Sequence, residues 1–206
     1  MPSPQPSASA TRSSAPTSPS STTPPIGRST PWRSIAGGAR STCPRGWGMA
    51  GRFEYRQAQD LAAAFAKHHV RYLFIGKSGA IILGYPDTTQ DADVFVARGP
   101  ENGRALVAAL AELGFPLTPE HRAEIERGKD FVQLRYGPFD LDLVFAPDGI
   151  ETFEDADRRA LTIEGMRVCH IDDIIRSKES TGRVKDRESL PRLKAFREWW
   201  IKRQRA

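Results

Sequence analysis

The first 48 residues contain no aspartate and no glutamate. Ser, Pro, Thr, Ala and Arg dominate them, and such a stretch buries too little apolar surface to offset the entropy of ordering it. Residues 1–48 are therefore expected to be a disordered tail, or sequence upstream of a true start at Met49. Their arginines and serines without acids suit a transit peptide, but the many prolines and the missing amphipathic period do not. The chain has only two cysteines, Cys43 and Cys169, which excludes a disulfide framework and a cysteine zinc site and suits a reducing cytoplasm. No run approaches the roughly 18 apolar residues of a membrane span, so no membrane partner is expected. The four histidines, His68, His69, His121 and His170, lack metal-ligand spacing, and no Ser/His/Asp set is apparent.

Charge is unevenly distributed. Of the 30 basic residues, the five arginines at 12, 28, 33, 40 and 45 fall in the tail, leaving 25 to balance all 25 acidic residues. The body of the chain is thus neutral overall, and the pI near 9.5 of the whole chain is no argument for nucleic-acid binding. A local surplus is more telling. From Arg176 to the end there are eleven basic and four acidic residues, a net of +7.

Hydrophobic periodicity divides residues 49–206 into alternating elements. A helix is expected over 54–69 and a buried strand over 70–75. A short helix capped by Ser78 follows, ended by Gly84-Tyr85-Pro86-Asp87. Next come a strand over 91–97, an amphipathic helix over 101–113 stopped by Gly114, and a polar segment over 118–129 with helical character. Two strands, 130–136 and 139–145, flank the hairpin signal Gly137-Pro138. A further strand is expected over 163–170, then helices over 171–180 and 187–203, with Trp199-Trp200, Leu193 and Phe196 packing into the core. This order predicts an α+β fold, a mixed sheet with flanking helices and a helical C-terminal region. The expected organisation is a core over 49–170 with basic helices over 171–206 packed on it.

Carboxylates mark the chemistry. Residues i and i+2 of a strand share a face, so Asp91 and Asp93 project together, as do Asp140 and Asp142. Adjacent carboxylates repel unless a cation lies between them, and a divalent metal removes that penalty while organising phosphate oxygens. On spacing alone either Asp140 or Asp142 supplies the third ligand. Upstream, Gly76-Lys77-Ser78 links strand to helix, where free backbone N–H groups suit an anion. It is not a Walker A loop, since the upstream glycine that motif requires is replaced by Arg71.

Together, Gly76, Ser78, Asp91, Asp93 and a later strand aspartate resemble the signature of the polymerase-beta-like nucleotidyltransferases. The stretch from Asp142 to Ala156 is similar to the third-aspartate region of small stand-alone members, and on that match the third carboxylate is Asp142. The segment from Ile174 to Asp186 is similar to the Lys, then Arg-x-Lys-Asp, region of AbiE-like members, several of which are toxins of toxin–antitoxin pairs. The resemblance implies transfer of NMP from an NTP, such as ATP, to an acceptor that is RNA, protein or a small molecule. Asp91, Asp93 and Asp142 are the implied catalytic and metal residues, for two Mg²⁺ ions with Mn²⁺ as an alternative. Gly76, Lys77, Ser78, Lys178, Arg183 and Lys185 are the implied nucleotide-binding residues, and an antitoxin protein is an implied partner. The chain departs from the pattern at Lys77, where relatives carry a second glycine, and at Gln90, where they often carry a basic residue. Lys77 opens the alternative of a catalytically silent binding protein on the same fold.

Overall fold

Short strands with buried apolar positions form a sheet that mixes both pairing senses. The computed structural model describes residues 53–204; the expectations of a tail over 1–48 and of a start at Met49 lie outside the described residues. In chain order the elements are α1 (Tyr55–Lys67), β1 (Tyr72–Phe74), α2 (Gly76–Ile82), β2 (Asp91–Val96), α3 (Pro100–Glu112), α4 (Pro119–Glu126), β3 (Phe131–Leu134), β4 (Asp140–Val144), α5 (Phe153–Arg159), β5 (Leu161–Ile163), β6 (Met166–Val168), α6 (Ile171–Thr181) and α7 (Val184–Gln204). The strands order as β3-β4-β2-β1-β6-β5. β1 pairs antiparallel with β2 and parallel with β6, while β2 pairs parallel with β4. The β3–β4 and β5–β6 pairs are antiparallel. This is the mixed-sheet α+β architecture expected from the sequence.

Local chemistry explains the element ends. The side chain of Gln57 accepts from the Glu54 backbone N–H at 2.9 Å, which fixes the start of α1. α2 ends before Gly84, whose φ of 99° takes the chain out of the helix ahead of Pro86. α6 ends on Gly182, in the left-handed region at φ 62°. β1 is buried at all three positions and sits mid-sheet between β2 and β6. Phe74, Leu73, Val94, Leu141 and Leu143 form the centre of the core, and Leu193, Phe196 and Trp200 of α7 join it.

Four expectations need correction. Ser78 does not cap α2; Ile75 occupies the cap position, because the helix already begins at Gly76. The single strand expected over 163–170 is a hairpin, in which Glu164 and Gly165 turn the chain at φ 47° and 82°. α7 starts about one turn earlier than expected, since the Arg183 carbonyl accepts from the N–H groups of Asp186 and Arg187, both at 3.0 Å. Trp200 is buried, but Trp199 is 50% exposed beneath the Arg203 guanidinium rather than packed in the core.

One helix, α5, was not expected at all. Its cap is Thr152, whose hydroxyl accepts from the Asp155 N–H at 3.1 Å. No helix among the described residues is long and apolar enough to cross a membrane.

Candidate metal centre

The pairing of β2 with β4 decides which carboxylates meet. In their parallel register Asp91 stands opposite Asp140 and Asp93 opposite Asp142. Neighbouring strands run about 4.8 Å apart, so all four side chains begin on one face of the sheet within reach of each other. Three of them converge. Asp91, Asp93 and Asp142 each offer a carboxylate oxygen, and these oxygens lie within 4.8 Å of one another. Asp140 lies outside this trio, its Oδ2 3.0 Å from a guanidinium nitrogen of Arg135.

Neighbours orient the three carboxylates. Thr89 Oγ1 donates to Asp91 Oδ1 at 2.9 Å. Gln133 Nε2 donates to Asp142 Oδ1 at 3.1 Å, and the second guanidinium nitrogen of Arg135 lies 3.4 Å from the same oxygen. The backbone at Asp93 is held by Ser78, whose Oγ accepts from the Asp93 N–H at 2.8 Å. That hydroxyl also lies 3.2 Å from the Ile75 carbonyl. Ser78 is fully buried, so its hydroxyl is taken up in joining α2 to β2.

The electrostatics are those of a site short of positive charge. Burial, then the charges of Asp91 and Asp142, push the Asp93 carboxyl up to about 7; the Lys178 ammonium and the Ser78 contact oppose the rise. Burial also raises Asp142, against the lowering effects of Gln133 and Arg135 and with Asp91 and Asp140 adding to it. Three crowded carboxylates, with the ionisation of Asp93 and Asp142 resisted, form a set of hard donors that a divalent cation satisfies.

Gly76 is part of the same construction. Its φ is 63°, and a Cβ there would lie 2.4 Å from Asp93 Oδ2. The space that a side chain would fill is thus filled by the carboxylate itself. Lys77, which the sequence set in the path of a ligand, instead directs its ammonium toward Asp87, 3.6 Å away.

The carboxylates open into a cavity of about 450 Å³. Gly76, Lys77, Lys178, Arg183 and Lys185 line it, so five of the six expected nucleotide-binding residues meet there, and Ser78 lies behind them. Lys178 Nζ is 2.9 Å from Asp186 Oδ1 across the α6–α7 junction. Sequence reasoning gave no role to Thr89, Gln133 or Arg135, and noted Asp186 only as the end of the Arg-x-Lys-Asp stretch. Gln133 was open to discovery, since strand alternation and the hairpin put it opposite Asp142.

No family model and no curated protein matches the chain. Among solved structures the chain is similar to the crystal structure of a candidate nucleotidyltransferase from Thermotoga maritima. The two share 17% identity over 71% of this chain and 92% of that one, with a TM-score of 0.44. At that degree of likeness, what the site can do rests on its own geometry.

Proposed function

We infer that the protein is a divalent-metal-dependent nucleotidyltransferase that moves NMP from an NTP onto an acceptor hydroxyl. The observation that carries this reading is the convergence of Asp91, Asp93 and Asp142 within 4.8 Å in a cavity that Lys77, Lys178, Arg183 and Lys185 also line. Asp91, Asp93 and Asp142 would hold Mg²⁺, or Mn²⁺, which when bound neutralises phosphate charge and acidifies the acceptor hydroxyl. Lys178, Arg183 and Lys185 bind the triphosphate, with Lys77 and the Gly76 backbone at its edge. Asp142 takes the proton of the acceptor hydroxyl. The acceptor oxygen bonds to the α-phosphorus as the bond to the departing pyrophosphate breaks.

The division of labour follows the chain. The core over 49–170 carries the carboxylates, and the basic helices over 171–206 carry most of the phosphate-binding cations. Their surplus charge favours RNA among the acceptor classes of RNA, protein and small molecule. The likeness of 174–186 to AbiE-like proteins supports a role in a toxin–antitoxin pair, with an antitoxin protein as partner. The rival reading, a silent binding protein, rested on Lys77 obstructing the turn. Its ammonium lies toward Asp87 at the cavity edge, which supports an open turn.

The test is transfer of labelled NMP from each of the four NTPs, with Mg²⁺, to RNA and protein fractions of a cell extract. The wild-type protein is expected to label one fraction, and Asp93→Ala to label none. Equal labelling by the two proteins overturns the mechanism.

A further inference from the structure

The cavity has two chemically different sides. Lys178 of α6, with Arg183 and Lys185 at the start of α7, supplies cations on one. The β3–β4 hairpin and the segments beside it supply Phe131, Val144, Ala146 and Pro147 on the other, together with Asp130, paired with Arg98, and Asp148, which accepts from the Thr181 hydroxyl. Phe131 stands out on that side: it is a large aromatic residue, 45% exposed, on a strand whose neighbouring positions Val132 and Leu134 are buried.

Register fixes where the ring lies. Side chains alternate along β3, so Phe131 and Gln133 share one face and Val132 and Leu134 the other. Gln133 stands opposite Asp142 and Phe131 opposite Val144. Phe131 is therefore the diagonal neighbour of Asp142, and such neighbours stand about 7–8 Å apart. The triphosphate reading puts the α-phosphate at Asp142. From there a ribose spans a similar interval before the base begins.

We propose that Phe131 is the stacking platform for the nucleobase of the incoming NTP, an inference that rests on the nucleotidyltransferase reading of the same cavity. An aromatic side chain left exposed beside a charged pocket offers a π-face, and base stacking on such a face tolerates any base. The side chains of Val144, Ala146 and Pro147 add apolar contact and no hydrogen-bond donor. The ring itself thus selects for the presence of a base more than for its identity, and the larger purine rings gain most. The triphosphate is held by the opposite, cationic side.

Isothermal titration in Ca²⁺, which supports binding without turnover, separates the two sides. The ligands are ATP, GTP, CTP, UTP, inorganic tripolyphosphate and an RNA trinucleotide without 5′-phosphates. Phe131→Ala is expected to weaken all four NTPs by about tenfold and leave tripolyphosphate unchanged. Phe131→Tyr should restore NTP affinity; Phe131→Leu, apolar but unable to stack, should not. Unchanged NTP affinity in Phe131→Ala, or full affinity in Phe131→Leu, overturns the stacking role. A loss confined to the trinucleotide also overturns it, by assigning the ring to an acceptor. If wild-type protein binds neither NTPs nor tripolyphosphate, the nucleotidyltransferase reading fails, and the stacking role with it.

Discussion

Gly76 and Asp93 share one small volume: a Cβ on Gly76 would fall 2.4 Å from Asp93 Oδ2. The turn before α2 is thus shaped around a carboxylate, and any side chain at 76 must push that carboxylate out of the triad.

Gly76→Ala follows directly. A φ of 63° is unfavourable for a residue with a Cβ by about 1–2 kcal/mol, and the contact with Asp93 adds to that. The variant is expected to unfold at lower denaturant concentration and to lose most of its Mn²⁺ affinity. Gly84→Ala provides the comparison, since its φ of 99° is also positive but a Cβ there meets nothing within 4 Å. It should lose stability and keep its metal affinity. Equal metal affinity in both variants would remove the close approach as a functional constraint.

The acidity of Asp93 has a defined sign. Its carboxyl is raised to about 7 in the folded protein from an ordinary value of 3.8. Folding therefore favours its protonated form, so the metal-free protein is fully stable on this account below pH about 4 and loses stability as pH rises through 7. A divalent cation requires the ionised carboxylate and competes with that proton. Thermal unfolding with and without Mg²⁺ should show a stabilisation that is small at pH 5 and grows to several degrees by pH 8. Asp93→Asn should flatten both the pH dependence and the metal effect. A Mg²⁺ shift of the same size at pH 5 and 8 would contradict the assignment.

Lys178 and Asp186 form a second constraint, across the α6–α7 junction. Their side chains are only 17% and 7% exposed, and the ammonium–carboxylate distance is 2.9 Å. Breaking a buried pair by removing one partner costs about 3–5 kcal/mol, and the partial exposure of Lys178 places Asp186→Ala toward or below the lower end. Beyond stability, the substitution removes the carboxylate that holds the Lys178 ammonium in place in the cavity lining, so the ammonium is no longer positioned for a triphosphate. Chemical denaturation should show the loss. NTP titration should show weaker binding, even under conditions where the variant is fully folded. NTP affinity equal to wild type would confine Asp186 to a structural role.

The limits of the sequence follow the same geometry. Asp91 and Asp93 were legible because a strand's period of two needs no knowledge of its neighbours. Residue spacing left Asp140 and Asp142 equivalent, since only the packed side chains show which of the two converges with Asp91 and Asp93. Ser78 suggested a helix cap because a cap is the local use of a serine; its observed partner is the Asp93 backbone, fifteen residues away. The β5–β6 hairpin escaped because three-residue strands are too short to show a period. The start of α5 was written in the sequence, as Thr152 three residues ahead of Asp155.

Asp140 and Asp142 make the sharpest comparison, being two residues apart on one strand and on one face. Asp142 lies in the triad and Asp140 outside it, and the Arg135 guanidinium reaches both. Asp142→Asn should abolish nucleotidyl transfer and metal-induced stabilisation. Asp140→Asn should preserve both within a few-fold, because it removes a neighbouring negative charge that raises Asp142 and takes no ligand from the triad. Arg135→Gln acts the other way. Without the guanidinium, Asp142 loses a lowering influence and holds its proton more tightly, so metal binding should require a higher pH than in the wild type. Mn²⁺ titrations of the three variants between pH 5.5 and 8 would test the set, and metal binding lost in Asp140→Asn but kept in Asp142→Asn would exchange the two assignments.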